Sequence, residues 1–187
     1  SGVRRRANEL GLIIVCPDTS PRESGIPGEG DSYDLGLGAG FYVNATEDPW
    51  RTNYQMYSFV AEELPELIDA EFPTHQAAKG VFGHSMGGHG ALVVGLTKPH
   101  VFKSISAFAP ISAPSISPIG TKAFRAYLGH NQDHWKRYDS SYLLAHATTK
   151  TPILVYQGDV DHLLHSSLMP EKLIEAAQKN NYPLTLQ

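Results

Sequence analysis

Residues 80–91 read GVFGHSMGGHGA and contain the motif Gly-x-Ser-x-Gly at 83–87. A short apolar run typical of a strand ends in front of this motif, and a helical pattern begins behind it. A serine at such a strand-to-helix bend sits in strained backbone, so small residues are needed two positions before and two positions after it. Gly83 and Gly87 fill these positions. The stretch therefore predicts Ser85 as a nucleophile, against the alternative of an inert serine in a glycine-rich turn.

The same bend predicts a hydrogen-bond donor next to the serine. The backbone N–H of Met86 lies at the start of the helix, where the helix dipole favours negative charge. A donor at this place stabilises the oxyanion that forms during acyl transfer. We expect the Met86 N–H to be one of the oxyanion donors.

The rest of the chain predicts one α/β domain. Apolar runs rich in β-branched residues recur and are mostly separated by helical patterns, which indicates a parallel sheet with helices on both faces. Periodicity predicts helices over 54–68, 85–98 and 170–180, the first opened by a capping box of Thr52 and Gln55 and interrupted at Pro65. The five predicted strands are 12–16, 79–82, 104–109, 153–156 and 184–187.

Two further segments have their own character. Residues 113–150 resemble an insertion of short helices, with Gly129 as a helix stop and Asp139 as an N-cap. Residues 20–49 form a long loop rich in Gly and Pro, a kind of loop that is often functional. Its run Gly36 to Gly40 lacks the spacing and the following helix of a phosphate site, so we expect none there.

Composition excludes several classes of protein. The chain has 187 residues and a formal net charge of -4, which gives no positive field for nucleic acid or an anionic membrane. Arg4 to Arg6 fit a solvated helix face, and no apolar run is long enough to span a bilayer. Cys16 is the only cysteine, so we expect a buried structural thiol and a reducing, cytoplasmic location.

A serine nucleophile also needs an acid and a base, which follow it in the chain order Ser, Asp or Glu, His in α/β-hydrolases. The loop after strand 153–156 offers Asp159 and Asp161, and spacing does not choose between them. His162 and His165 share that loop, and all nine histidines are better explained as structural or solvated. The base therefore lies outside these residues. Metal binding by Asp159, Asp161, His162 and His165 is a weak alternative, because no second ligand set accompanies them.

Long tracts of the chain resemble the S-formylglutathione hydrolases, also called esterase D. The tracts include GAGFYVNATEDPW at 38–50, FGHSMGGHGAL at 82–92, SAFAPIS at 106–112 and KAFRAYLG at 122–129. The resemblance covers essentially the whole chain, 1–187. It implies a cytosolic α/β-hydrolase without cofactor or metal that cleaves S-formylglutathione to formate and glutathione during formaldehyde detoxification, and it allows a homodimer.

The resemblance also assigns residues. It places the nucleophile on Ser85 and the acid on Asp161 rather than Asp159. The family's triad histidine and its second oxyanion donor fall outside this chain, which starts without Met and stops inside an apolar run. We therefore expect a partial domain that is inactive and poorly folded by itself. One departure is Ile119, where the family commonly has tryptophan, so the acyl pocket is expected to be roomier.

Two alternatives to this function remain. One is a related carboxylesterase of the same fold with another acyl substrate, and the other is a hydrolase-like binding module without catalysis. Lys122 is a candidate for binding a carboxylate of glutathione, although a solvated lysine explains it better.

Overall fold

The computed structural model describes residues 2–187 and contains a parallel sheet of four strands in the order β1-β2-β3-β4. The register aligns the strand ends, with His84 of β1 opposite Phe108 of β2, and Phe108 opposite Tyr156 of β3. Four of the five predicted strands are confirmed within two residues. Their bounds are Lys79–His84 (β1), Phe102–Phe108 (β2), Ile153–Tyr156 (β3) and Leu184–Leu186 (β4).

Eight α-helices accompany the sheet in the described part of the chain. The helix that follows β1 and the helix in front of β4 bury apolar residues against the sheet residues Ile105 and Val155. Apolar burial of this kind is the main favourable term that holds the two layers together. The helices are Gly2–Leu10 (α1), Met56–Ser58 (α2), Leu64–Glu71 (α3), Met86–Thr97 (α4), Pro118–Leu128 (α5), Gln132–Trp135 (α6), Ser140–His146 (α7) and Pro170–Lys179 (α8).

The predicted strand 12–16 is wrong for the described chain. These residues pair with no strand, and Leu12, Ile13 and Cys16 are exposed. A strand exists through hydrogen bonds to a neighbour, and no neighbouring strand lies beside this segment in residues 2–187. The prediction that Cys16 is a buried thiol is wrong for the same reason. The preceding helix α1 carries Arg4 to Arg6 and has no buried residue.

The helical pattern over 54–68 is real, but its predicted start is wrong. Gln55 is the N-cap without a side-chain cap bond, and its amide instead donates to the carbonyls of Ala45 and Arg51 at 3.0 and 2.7 Å. The capping box failed because a tertiary contact uses that amide. The helix passes from α2 through the π-helical segment Phe59–Glu63 into α3, and Pro65 lies in the first turn of α3, as expected for a residue that interrupts the helix.

Residues 113–150 contain short helices, as the sequence predicts. Gly129 ends α5 with φ of 77°, a left-handed conformation that glycine adopts without steric cost. Asp139 caps α7, since its Oδ1 accepts the N–H of Tyr142 at 3.0 Å. The helices enclose an aromatic cluster that includes Tyr54, Phe124, Tyr127, Trp135 and Tyr138.

The long loop 20–49 is fixed to this cluster. The hydroxyl of Tyr127 accepts the N–H of Gly36 at 2.8 Å and donates to the carbonyl of Ala39 at 2.8 Å. The N–H of Gly38 binds Ser20 Oγ, and the N–H of Gly40 binds the Thr19 carbonyl. The N–H groups of Gly36, Gly38 and Gly40, which a phosphate cradle would offer, thus already bind acceptors of the protein.

No helix among residues 2–187 has the length and apolar character needed to cross a bilayer. Within the same residues, no group of three or more His, Cys, Asp or Glu side chains is arranged to hold a metal ion.

Candidate active site

Ser85 lies at the bend between β1 and α4, with φ of 55° and ψ of -116°. A residue other than glycine in such backbone costs on the order of 1–3 kcal/mol and persists only where its surroundings enforce it. Three backbone bonds do so here, one of them from the N–H of Ile111 to the Ser85 carbonyl at 3.4 Å. The N–H of Ser85 donates to the carbonyl of Phe108 at 2.8 Å, and its carbonyl accepts the N–H of His89 at 3.0 Å. The bend is therefore held from the sheet on one side and from the helix on the other.

The bend closes tightly on itself. A Cβ added to Gly83 would lie 2.1 Å from the carbonyl oxygen of Gly87, far inside the closest approach of nonbonded atoms. Glycine is thus needed at position 83 because the backbone passes itself at contact distance there. An added Cβ on Gly87 would meet only Tyr42 Oη, at an ordinary contact distance of 3.8 Å.

Met86 is the first residue of α4, a helix of 12 residues. The N–H groups of the first helical turn have no partner within their own helix. Within residues 2–187 the Met86 N–H has no backbone acceptor, so it can bind a ligand at the end of a helix that favours negative charge. This is the geometry needed to stabilise an oxyanion on a substrate bound to Ser85.

Asp161 lies at the same edge of the sheet as Ser85. Ser85 directly follows His84, and Gln157 directly follows Tyr156, two residues that the register aligns across β2. Two strand spacings separate β1 from β3 by about 10 Å. The Asp161 side chain is 29% exposed, and its Oδ1 accepts the N–H of Leu163 at 2.9 Å.

Asp159 differs from Asp161 in its surroundings. Residues 158–160 are exposed, and Val160 is 92% exposed, so this part of the loop stands out into solvent. The structure thus orders the carboxylate of Asp161 and leaves Asp159 at the surface. Sequence spacing had left both open.

The described residues bring no histidine ring into hydrogen-bond contact with the Ser85 hydroxyl. The nearest candidate to the acid is His162, whose Nδ1 lies 3.9 Å from Asp161 Oδ1 on a side chain that is 88% exposed. His84, next to the serine, is exposed. His89 is fully buried, and its Nε2 lies 3.0 Å from the carbonyl oxygen of Phe41.

Sequence reasoning missed Tyr42, which packs on the first turns of α4. Its ring lies 2.3 Å from the place that a Cβ added to Gly90 would occupy. Its hydroxyl oxygen lies 3.8 Å from the place that a Cβ added to Gly87 would occupy. Burial, with a smaller effect from the Asp18 carboxylate, raises the pKa of Tyr42 above its usual value. The signal in the sequence is Gly90, a glycine inside a helix, which indicates a close approach by another segment.

Two residues named from the sequence lie on α5. Ile119 is half-buried and packs against the aromatic cluster. Lys122 forms an ion pair with Asp34 and donates to Ser32 Oγ at 2.8 Å. Lys122 thus fastens the long loop to α5, a role that neither the carboxylate-binding nor the solvated interpretation foresaw.

Comparison with known proteins adds to this geometry. The family model described as "Putative esterase" matches residues 1–187. The S-formylglutathione hydrolases of Rattus norvegicus and Mus musculus are each 49% identical over 189 residues, covering 100% of this chain and 67% of theirs. The chain belongs to the S-formylglutathione hydrolase family. It spans about two thirds of the length of the relatives it matches.

A solved structure of the family agrees with the fold. The S-formylglutathione hydrolase of Agrobacterium tumefaciens superimposes with a TM-score of 0.94 at 47% identity, covering 98% of this chain and 66% of that one. Membership of the S-formylglutathione hydrolase family confirms the α/β-hydrolase fold expected from the sequence. It also confirms the resemblance drawn from the tracts around Phe41 and Ser85.

Proposed function

We propose that the full-length protein hydrolyses S-formylglutathione to formate and glutathione, with Ser85 as its nucleophile. The strained bend at Ser85, in a chain 49% identical to enzymes of that name, carries this proposal. Asp161 is the triad acid, and the base is a histidine outside residues 1–187. The Met86 N–H is one oxyanion donor, and the second also comes from outside this chain.

The reaction proceeds in two halves. The base takes the proton from Ser85 Oγ as this oxygen forms a bond to the formyl carbon, and the negative charge on the carbonyl oxygen is stabilised by the Met86 N–H. The C–S bond then breaks, glutathione thiolate leaves, and the proton held by the base passes to this thiolate or to solvent. The base, neutral again, deprotonates a water that attacks the formyl-serine ester; the bond between Ser85 Oγ and the formyl carbon breaks, formate leaves, and the base returns the proton to Ser85 Oγ. A thiolate leaves readily, so activating the serine matters more than protonating the leaving group.

Two matched pairs of variants test these assignments, with hydrolysis followed through loss of the thioester absorbance. Ser85→Ala is expected to abolish turnover, whereas Ser166→Ala, at an exposed serine of the π-helical segment Leu164–Leu168, leaves it unchanged. Asp161→Asn is expected to lower kcat about 10⁴-fold, as losing the acid does in serine hydrolases. Asp159→Asn should stay within about twofold of wild type, because this residue is at the surface. Equal losses from the two aspartate variants would contradict the assignment.

A related carboxylesterase with a larger acyl substrate is the second candidate, favoured by Ile119. This side chain is half-buried at the start of α5 where the family commonly carries tryptophan. Rates on S-formylglutathione and on esters of longer acids, for wild type and Ile119→Trp, separate the two. Faster turnover of the longer acids that Ile119→Trp removes would favour this candidate.

We place the reaction in the cytoplasm, as the hydrolytic step of glutathione-dependent formaldehyde removal. The exposed thiol of Cys16, the only cysteine of the chain, fits a reducing compartment. Cell fractionation and formaldehyde sensitivity of a deletion strain test the location and the role. The homodimer stays a prediction, which sedimentation of the full-length protein decides.

A further inference from the structure

We propose that the hydroxyl of Tyr42 is an additional hydrogen-bond donor to the oxyanion formed at Ser85, held in place by His89 through Phe41. This proposal rests on the catalytic role proposed for Ser85. It assigns Tyr42 to the catalytic machinery and His89 to its positioning. Four features of the structure carry it.

The first is the location of the hydroxyl. Tyr42 Oη lies 3.8 Å from the Cβ position of Gly87, two residues beyond the serine. Gly87 directly follows Met86, so this hydroxyl lies beside the helical turn that carries the Met86 N–H. The face of α4 that it occupies is not the face of Gly88, where an added Cβ would lie 3.0 Å from Pro110 Cβ.

The second feature is that this hydroxyl is free to donate. It makes no hydrogen bond within the described residues, and its oxygen keeps contact with solvent although the side chain is half-buried. Burial keeps the pKa of Tyr42 above its usual value, so the proton is present at neutral pH. A free, protonated O–H beside a helix N-terminus is a donor available to a developing negative charge.

The third feature is preorganisation. Phe41 and Tyr42 have φ values of 50° and 51°, so two consecutive residues with side chains adopt left-handed backbone. Each such residue costs about 1–2 kcal/mol. Strain of this kind is kept where the surrounding structure fixes it, and here it turns the Tyr42 ring onto α4. The Phe41 ring on its other side is only 1% exposed.

The fourth feature is the hydrogen bond that fixes this strained pair. His89 Nε2 lies 3.0 Å from the Phe41 carbonyl oxygen, and burial lowers the pKa of His89 to about 4. The neutral ring therefore carries its proton on Nε2 and donates it to the Phe41 carbonyl, while Nδ1 is buried and has no hydrogen-bond partner among the residues that the structure describes. Because the N–H of His89 also binds the Ser85 carbonyl, one residue connects the tyrosine segment to the serine bend.

The geometry of the reaction also favours a donor on the side of Ser85 where Tyr42 lies. Asp161 approaches from β3, so the base that it orients also lies on the β3 side, where it meets the leaving group. In a tetrahedral intermediate the oxyanion points away from that group, toward oxyanion donors on the opposite side. Tyr42 packs on a different face of α4 from Pro110, which follows β2 in the chain.

Tyr42→Phe in the full-length protein tests the proposal, because it removes the donor and keeps the ring. We expect kcat to fall about 10- to 100-fold, with KM within about twofold, on both S-formylglutathione and p-nitrophenyl acetate. A small alkyl boronic acid, which forms a tetrahedral anion on a serine, should bind more weakly by a similar factor. An unchanged kcat, or a change in KM alone, would overturn the proposal.

The role of His89 is tested through Tyr42. His89→Gln keeps an N–H near the Phe41 carbonyl and should retain most of kcat, whereas His89→Leu removes it and should lose kcat as Tyr42→Phe does. In the Tyr42→Phe background, His89→Leu should cost little more, because both changes act on one hydroxyl. Additive losses would refute positioning through Tyr42, and Tyr42→Phe alone decides the donor role should His89→Leu fail to fold.

A different result is expected if S-formylglutathione is not the substrate. A protein that cleaves p-nitrophenyl acetate but not S-formylglutathione would refute the proposed function, while the effect of Tyr42→Phe on the ester still decides the role of the hydroxyl. If an organophosphate does not label Ser85 in the wild-type protein, the assignment of Ser85 as the nucleophile is refuted instead.

Discussion

Replacing Ser85 by glycine should make the protein more stable than replacing it by alanine, although both variants lack the nucleophile. The backbone at Ser85, φ 55° and ψ -116°, is the mirror image of ordinary extended backbone. Glycine adopts it as readily as its mirror image, whereas any residue with a Cβ is strained there. Alanine keeps this strain and glycine removes it.

The size of the effect follows from two opposing terms. Relief of the strain contributes about 1–3 kcal/mol, and the greater freedom of glycine in the unfolded chain takes back about 0.4–1 kcal/mol. The net expectation is that Ser85→Gly exceeds Ser85→Ala by about 1–2 kcal/mol in free energy of unfolding. At about 2–4 °C per kcal/mol for a protein of this size, Tm should rise by roughly 2–8 °C.

Urea unfolding of the two full-length variants, followed by circular dichroism, measures this difference directly. Neither variant turns over substrate, so no difference in bound ligand or acyl-enzyme enters the comparison. Gly158→Ala serves as a control for the general effect of exchanging glycine and alanine, because nothing lies within 4 Å of its added Cβ and its φ is not left-handed. Equal stability of Ser85→Gly and Ser85→Ala, or greater stability of the alanine variant, would show that the bend stores no strain.

Three further outcomes follow from the same geometry. Gly83→Ala puts a Cβ 2.1 Å from the Gly87 carbonyl oxygen, so kcat/KM on p-nitrophenyl acetate should fall at least about 100-fold. The control Gly158→Ala should leave kcat/KM unchanged. Equal activity of the two variants would contradict the tight bend. Tyr127→Phe leaves the Gly36 N–H without its partner and should lower the urea unfolding free energy by about 1–3 kcal/mol, and a loss below about 0.5 kcal/mol would contradict this. Burial lowers the pKa of His89 in the folded protein from 6.5 to about 4, so the free energy of unfolding decreases as the pH falls from 6.5 through 4. His89→Gln should remove up to about 3 kcal/mol of this decrease, measured by unfolding curves between these pH values. The same pH dependence in wild type and variant would refute this expectation.

Local patterns predicted much of the fold because the signals act over a few residues. Gly129 ends a helix through its own φ, and Asp139 caps one through a bond to Tyr142, three residues away. Such features depend on the segment itself, so sequence spacing is enough to identify them.

The wrong predictions concern residues whose partners are distant in sequence. Thr52 and Gln55 have the spacing of a capping box, but the Gln55 amide binds Ala45 across the turn. Cys16 has the apolar setting of a buried strand, yet a strand also needs a neighbour, which no local pattern reveals. The local sequence shows Lys122 only as a lysine on a helix, because its ion-pair partner Asp34 lies in the long loop.

The residues of the candidate site fall into the same two groups, those with local sequence signals and those that depend on distant partners. Ser85 and Met86 follow from one motif, whereas position after β3 indicates Asp159 and Asp161 alike, and only the family resemblance chose Asp161. Tyr42 could not be found in this way, since its side chain meets α4 through two left-handed residues that have no sequence signature.

A glycine inside the buried helix α4 nevertheless marks where Tyr42 arrives. Glycine at a helix interior costs about 1 kcal/mol relative to alanine, and α4 is buried from Gly88 to Gly95, so solvent exposure does not explain its use there. At Gly90 a Cβ would lie 2.3 Å from the Tyr42 ring, a clash that would push the hydroxyl away from the serine bend. The helix thus gives up intrinsic stability at the position where an aromatic side chain must lie against its backbone, and such a glycine in sequence is evidence that another segment completes the site.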